Sequence, residues 1–480
     1  MILKKIQILI ISISLISIKT FLLPINIEPD KLFYYYITLY YGEDKSPQAF
    51  ILDTTSALIS SPCNLCETCG YHSNEWYNIT NEENQVLNCK NSKCNELSGT
   101  CEEQQCSYKF DYYENAYIKG IFVNESIRFA ENSSSIYNII VGCTLNETNY
   151  IIAQDSDGIM GLNNDENSFI NTLYKSKILS HNLFSICLSQ DNQGYFSLGD
   201  INTLHHSSSK IEYIPFVVDE EKYYNIKIKT IEVADKSINF DGSAVIDTTA
   251  TLCSFPNNIF ESIVQIFEEK CPEESCGKLI KNKNFGICAV FGDRTEMLTK
   301  IKNWLNIKII FNEYKFEWKP ENYWVNISTS YTYRACVGFE STEEDVITLG
   351  TSFLHGYDVI FDRENNKIGF VESNCNGKFD YEDINNKKID VKLPKNSKKA
   401  SISAPNLNQN EEKEEVEKKG NSLFSTFLKF SFFVTIIILI IGVNVFLLMK
   451  KGKVIKRKRR IRVVSKDKEI KNFLKKKMNK

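Results

Sequence analysis

An all-β, two-lobed body is what the sequence predicts, and three observations predict it. From Leu32 to about Cys375, short apolar and aromatic runs such as "YYYITLYYG", "GYFSLGD" and "YYNIKIKTIEV" are broken by Asn, Asp, Gly and Ser, the signature of strands and turns. Helical periodicity is confined to short pieces such as "IFESIVQIFEEK". An acid-bearing turn occurs twice, as "ILDTTSALIS" at 51–60 and "AVIDTTATLC" at 244–253. Each is followed by an aliphatic pair and glycine, in "DGIMGLN" and "VITLGTSF", so the body reads as two related lobes.

The 480 residues, 42% of them hydrophobic and 12% aromatic, suffice for real cores. The net charge of −3 conceals an asymmetry: residues 450–480 hold sixteen Lys or Arg against two acids, leaving about −17 on the rest. An acidic body argues against nucleic-acid binding by the folded part. The basic run "KRKRRIR" resembles a nuclear address, but an apolar segment just before it favours a charge that holds the tail in the cytosol.

That segment, "FSFFVTIIILIIGVNVFLLM" within 429–449, carries no charge and is long enough to cross a bilayer as a helix. At the other end, residues 1–20 place Lys4 and Lys5 before an apolar run, which reads as a signal peptide. No small-x-small pair marks its cleavage site, so retention as an anchor is the alternative. Between 376 and 428 the chain is charged and poor in large apolar residues, and reads as a stalk. These features predict a single-pass type I membrane protein of the secretory pathway, with a luminal or extracellular body and a cytosolic tail at 450–480. Sequons at Asn78, Asn124, Asn132, Asn146 and Asn326 fit that side of the membrane. No pro-segment of useful length separates Thr20 from Phe33, so activation by removal of a long propeptide is not expected.

Fifteen cysteines in such a compartment predict disulfides. Seven fall in "CNLCETC", "CKNSKC" and "CEEQQC", that is Cys63, Cys66, Cys69, Cys89, Cys94, Cys101 and Cys106. Zinc held by Cys63, Cys66, Cys69 and His72 is the rival reading, weakened because thiolates in an oxidising compartment are generally consumed by bridges.

Two lobes related by a pseudo-dyad would bring Asp53 and Asp247 face to face. Two carboxylates sharing a site cannot both ionise cheaply and hold one proton between them. The charged one can take a proton from water while the other donates to a peptide carbonyl. This chemistry requires no metal and no cofactor.

In order along the chain, "FILDTTS", "CSYKFDYYENAYIKG", "DGIMGLN", "NLFSICLS", "AVIDTTAT" and "ITLGTSFLHGYDVIFDRENNKIGFVESNC" resemble the pepsin-like aspartic proteases over residues 33–375. The Cys-rich insert at 63–106, the "YKFEWKPENY" segment and the C-terminal span are similar to its membrane-anchored, nepenthesin-like members. The resemblance implies a pepsin-like aspartic protease fold with an N-terminal lobe at 33–212 and a C-terminal lobe at 213–375. It implies an aspartic endopeptidase, a monomer acting on peptide or protein substrates, with Asp53 and Asp247 as catalytic dyad. Thr54 and Thr248 match the hydroxyls that pin the two turns across the lobes, Ser56 a hydroxyl bonded to the first acid, and Tyr112 the tyrosine of a substrate-closing flap. For the cysteines it implies four bridges within the first lobe, from the seven of the insert plus Cys143. Cys187 and Cys375 match a pair tying the sheet to the chain's end. Cys271, Cys276, Cys288 and Cys336 remain for two more, and Cys253 is left over as a buried thiol or, on a sharper reading, a regulatory one.

Three departures matter. Thr55 and Thr249 stand where the family has glycine; were the backbone there left-handed, each would cost about 1–3 kcal/mol of strain. Ala250 replaces a hydroxyl that hydrogen-bonds the second acid, which predicts a raised carboxyl pKa and activity at milder pH. Asn115 and Ala116 occupy a flap tip that often carries Gly and Ser, and Asn tolerates the left-handed turn. The alternative function is a non-catalytic bilobal peptide-binding protein or sorting receptor, favoured by the two Gly-to-Thr changes.

Overall fold

The computed structural model describes residues 21–27 and 35–375, apart from short breaks at 113–114, 190–192, 283–285, 313 and 329–331, and the backbone of 381–383 and 387–389. The signal segment 1–20, the tail 450–480, the span 429–449 and nearly all of the stalk lie outside the described residues. Among the described residues no helix is long and apolar enough to cross a membrane.

Alternation in the sequence becomes alternation in burial. Strand Tyr35–Tyr41 buries Tyr35, Ile37, Leu39 and Tyr41 and half-exposes the residues between them, as the two-residue side-chain period requires. It pairs antiparallel with Ser46–Asp53, so the first acid ends a buried strand. The helical periodicity near residue 260 forms helix Asn257–Lys270, whose Ile259, Ile263, Val264, Ile266 and Phe267 are buried.

The two lobes repeat one local plan. In the first, Ser46–Asp53 runs parallel to Gly158–Gly161, which also meets Ile59–Pro62 antiparallel. In the second, Lys236–Ile246 runs parallel to Ile347–Leu349, which meets Cys253–Pro256 antiparallel. The chain therefore loops out at each acid and returns on the far side of the strand that lies between the two limbs, and a glycine at the end of that strand permits the approach. A Cβ on Gly161 would sit 2.2 Å from the Ala57 carbonyl carbon, and one on Gly350 would sit 2.5 Å from the Ala250 oxygen.

A shared sheet of six antiparallel strands joins the lobes, in the order Phe21–Ile27, Gly194–Leu198, Leu183–Leu188, Tyr357–Asp362, Lys367–Glu372, Glu212–Val218. Strand Phe21–Ile27 precedes the boundary expected at 33 and also pairs with Tyr35–Tyr41. Phe184 stacks on Phe361 across the central pair, with ring centroids 4.5 Å apart. Arg363, buried at the end of the central strand from the second lobe, donates to Asn164 Oδ1 at 2.8 Å, Ser168 Oγ at 2.6 Å and the Asp165 carbonyl at 2.9 Å in the first.

Fourteen cysteines form bridges: 63–143, 66–69, 89–101, 94–106, 187–375, 271–276 and 288–336. The zinc reading fails here, since the three thiols are bridged and His72 engages Glu147 at 2.9 Å and the Gln154 carbonyl at 2.8 Å. Burial alone would lower the His72 pKa, but Glu147, the Gln154 carbonyl and Asp157 outweigh it and raise it. Beside it, the Asp157 carboxylate accepts from Ala49 N at 2.6 Å and Asn74 N at 2.8 Å, tying the insert to the strand that carries the first acid. Cys253 is the free, buried cysteine; burial pushes its thiol up to about 12, so it is an inert core group.

Arg363→Met leaves the buried Ser168 Oγ and the half-buried Asn164 Oδ1 and Asp165 carbonyl without their donor, and a loss of about 1–3 kcal/mol is expected. A lowered thermal unfolding midpoint relative to an exposed Arg→Met control checks it.

Candidate active site

The site is assembled by exchange between the two turns. Thr54 N donates to Thr248 Oγ1 at 3.1 Å, and Thr248 N donates to Thr54 Oγ1 at 3.1 Å. Each hydroxyl reaches past its partner to the strand opposite: Thr54 Oγ1 donates to the Ile246 carbonyl at 2.8 Å and Thr248 Oγ1 to that of Leu52 at 2.6 Å. Both threonines are buried, so these backbone groups have no water to turn to. The arrangement ties together the residues immediately following Asp53 and Asp247.

The acids are held alike. Asp53 Oδ1 accepts from Thr55 N at 2.8 Å and Thr55 Oγ1 at 2.6 Å; Asp247 Oδ1 accepts from Thr249 N and Oγ1 at the same two distances. Asp53 is 2% exposed, whereas Asp247 is half-buried. Burial and then the charge of Asp247 raise the Asp53 pKa, against the lowering effect of the Thr55 and Ser56 hydroxyls. Two acids close enough to perturb one another are the condition for sharing a proton.

Two expectations from the departures are corrected. Neither Thr55 nor Thr249 has a positive φ, so neither is strained; the close approaches fall at Gly161 and Gly350 instead. Ala250 lacks a hydroxyl, but its N–H donates to Asp247 Oδ1 at 3.3 Å and the Thr249 hydroxyl is already there. The ground for milder pH drawn from Ala250 therefore disappears. Ser56 Oγ is buried near both Asp53 and Tyr112 yet has no hydrogen-bond partner of normal geometry.

Tyr112 stands at the end of a hairpin built from Gln105–Asp111 and Tyr117–Arg128. Its N–H closes the turn on the Ala116 carbonyl at 2.7 Å, and Asn115 takes the left-handed conformation at φ 59°. Burial first, then the charge of Asp53, pushes the Tyr112 phenol well above its ordinary range, so the ring lies within electrostatic reach of the first acid.

Tyr223 is a site residue the motifs do not reveal. Its phenol is raised by burial first and then by Glu221, Asp219 and both site aspartates, so it lies within electrostatic reach of the pair. The loop that carries it is fixed to the first lobe, because Asn164 N donates to the Lys222 carbonyl at 2.9 Å. The acid run and paired tyrosines in "VVDEEKYYN" were the available signal.

This pairing of turns defines a bilobal aspartic protease site. Residues 35–200 match the family model described as "Xylanase inhibitor N-terminal" and residues 223–372 the one described as "Xylanase inhibitor C-terminal". The chain belongs to the pepsin-like aspartic protease family. It is similar to plasmepsin V of Plasmodium falciparum, 24% identical over 431 residues that cover 72% of each chain. It is also 24% identical to aspartic proteinase 36 of Arabidopsis thaliana over 392 residues, 74% of this chain and 77% of that one. Among solved structures it shares its fold with conglutin gamma from lupine seeds, at a TM-score of 0.59 and 18% identity over 74% of this chain and 95% of that chain.

Because the folded pKa of Asp53 lies above its ordinary value of 3.8, the folded state holds that proton more tightly than the unfolded chain. The associated stability is fully present below the ordinary value and is lost as pH rises through the folded one. Asp53→Asn removes this step, so the unfolding midpoint of the wild type should fall relative to the variant as pH rises above the ordinary value of 3.8. Parallel curves in a thermal melt series contradict the assignment.

Proposed function

We propose that the protein is an aspartic endopeptidase whose reaction uses a water molecule held between Asp53 and Asp247. The observation that carries this reading is the reciprocal Thr54–Thr248 hydrogen bonding, which brings both acids to one place with matched donors. Burial and the neighbouring carboxylate favour the protonated form of Asp53, and the pair shares one proton. The carboxylate takes a proton from water as its oxygen attacks the peptide carbonyl, and the protonated partner donates to the carbonyl oxygen. Collapse of the tetrahedral adduct then returns a proton to the leaving amine. Tyr112 covers the site from the hairpin, where its ring excludes water and bears on the bound peptide.

A second reading has specific support. The matched family includes non-catalytic proteins, and a bilobal body can hold peptide without cutting it. Digestion of a mixed peptide library by the purified chain separates the two. The hydrolytic reading expects cleavage at acidic pH, blocked by pepstatin and reduced at least about 10³-fold in Asp53→Asn. Binding of peptides with no turnover would establish the alternative.

The proposed compartment is the lumen of the secretory pathway or the cell exterior, with the body anchored by the segment at 429–449. Asn78, Asn124, Asn132 and Asn326 are exposed, whereas Asn146 is half-buried and its side-chain amide nitrogen donates to Thr68 Oγ1. Glycan mapping by mass spectrometry should find occupancy among the first four and none at Asn146. An unglycosylated chain from its native host contradicts this topology.

A further inference from the structure

Each acid of the pair receives its side-chain hydroxyl from an unexpected position. Counting from the aspartate, the third residue is Ser56 in one lobe and Ala250 in the other. Ser56 Oγ lies near enough to Asp53 to lower its pKa but makes no hydrogen bond of normal geometry to it, and Ala250 has no hydroxyl to give. The second residue supplies it in both lobes. Thr55 Oγ1 and Thr249 Oγ1 each lie 2.6 Å from Oδ1 of their own aspartate, and the amide of the same residue binds the same oxygen at 2.8 Å. A single oxygen therefore accepts two donors from one residue, twice, in symmetry-related turns.

Packing alone does not account for this. Both threonines are only half-buried, so no core requirement demands their methyl groups, and their backbones are unstrained. A valine would occupy the same space. What the hydroxyl adds is a short donor to an ionised carboxylate, which stabilises the charged form against burial and against the neighbouring acid. The titratable groups within electrostatic reach of the pair are Asp53 and Asp247 themselves, Tyr112 from the hairpin and Tyr223 from the second-lobe loop. Both phenols are raised above their ordinary range and stay neutral wherever the acids titrate.

We propose that Thr55 and Thr249 are positioning residues which hold the aspartate pair in its singly protonated form down to lower pH, by donating their hydroxyls to Asp53 Oδ1 and Asp247 Oδ1. This deepens the hydrolytic reading above and rests on it. The two glycine replacements thereby act on the acidity of the site and leave the pair competent.

The test compares the full-length chain with Thr55→Val, Thr249→Val and the double variant, with Thr→Ser at each position as rescue and Thr→Gly as a second way to delete the hydroxyl. Two readouts are taken: kcat/KM against pH, and the unfolding midpoint against pH. Loss of a donor to the ionised form should move the acid limb of kcat/KM upward by roughly half to one pH unit per hydroxyl, in Val and Gly variants alike, with Ser restoring it. The unfolding midpoint of the Val variants should drop near neutral pH and converge on the wild type as the acids protonate. An unmoved acid limb in active variants, or a midpoint loss equal at every pH, overturns the proposal. A wild-type chain without turnover whose midpoint still shows the pH-dependent drop on Thr→Val defeats the hydrolytic reading and leaves the hydroxyl assignment standing.

Discussion

Everything else in this molecule depends on two threonines that bind each other's backbone across the boundary between lobes. Thr54 and Thr248 sit one residue beyond the acids, and their mutual bonds are buried. Without them the two carboxylates would belong to separate lobes, each free to settle where its own loop is most relaxed. With them, the separation of the acids is set by four hydrogen bonds, two of which reach strands on the far side of the dyad. The desolvation that raises the pKa of Asp53 follows from the same closure.

The rest of the fold steadies this contact. The shared sheet pairs Leu183–Leu188 with Tyr357–Asp362, so the lobes meet through continuous backbone hydrogen bonds beneath the site. Arg363 and the Tyr224 hydroxyl, which donates to the Leu162 carbonyl at 2.7 Å, fasten the second lobe to the segment after Gly161. That segment in turn binds the first turn, since Leu162 N donates to the Asp53 carbonyl at 2.7 Å. The route from the central sheet to the acid is thus a short chain of polar contacts. In the insert, four disulfides and the buried His72–Glu147 pair hold an irregular stretch against the strand that ends at Asp53.

The repeated motif made the acids, Thr54 and Thr248 legible, because a turn written twice in the same order points to a two-fold site. The strand pattern made the all-β class legible, and the resemblance supplied the grouping of cysteines that the bridges follow. Strand Phe21–Ile27 was not legible: it follows directly on an apolar leader, and nothing local distinguishes it. Tyr223 and Arg363 escaped for another reason, since their roles come from residues far away in the chain, and neither lies in a motif. The strain expected at Thr55 and Thr249 was a misreading of residue type as conformation. Glycine in a family's turn can serve close approach or positive φ, and here neighbouring glycines take the close approach while the threonines keep ordinary backbone geometry.

The most direct measurement is a double-mutant cycle on Thr54→Ala and Thr248→Ala, read as unfolding free energy of the purified chain. Because each hydroxyl both donates and accepts within one reciprocal network, either substitution alone should cost on the order of 1–3 kcal/mol, and the double variant little more than the worse single one. Losses that simply add would mean that the two turns are held independently, and the account of a single cross-lobe closure that creates the acid pair would be wrong.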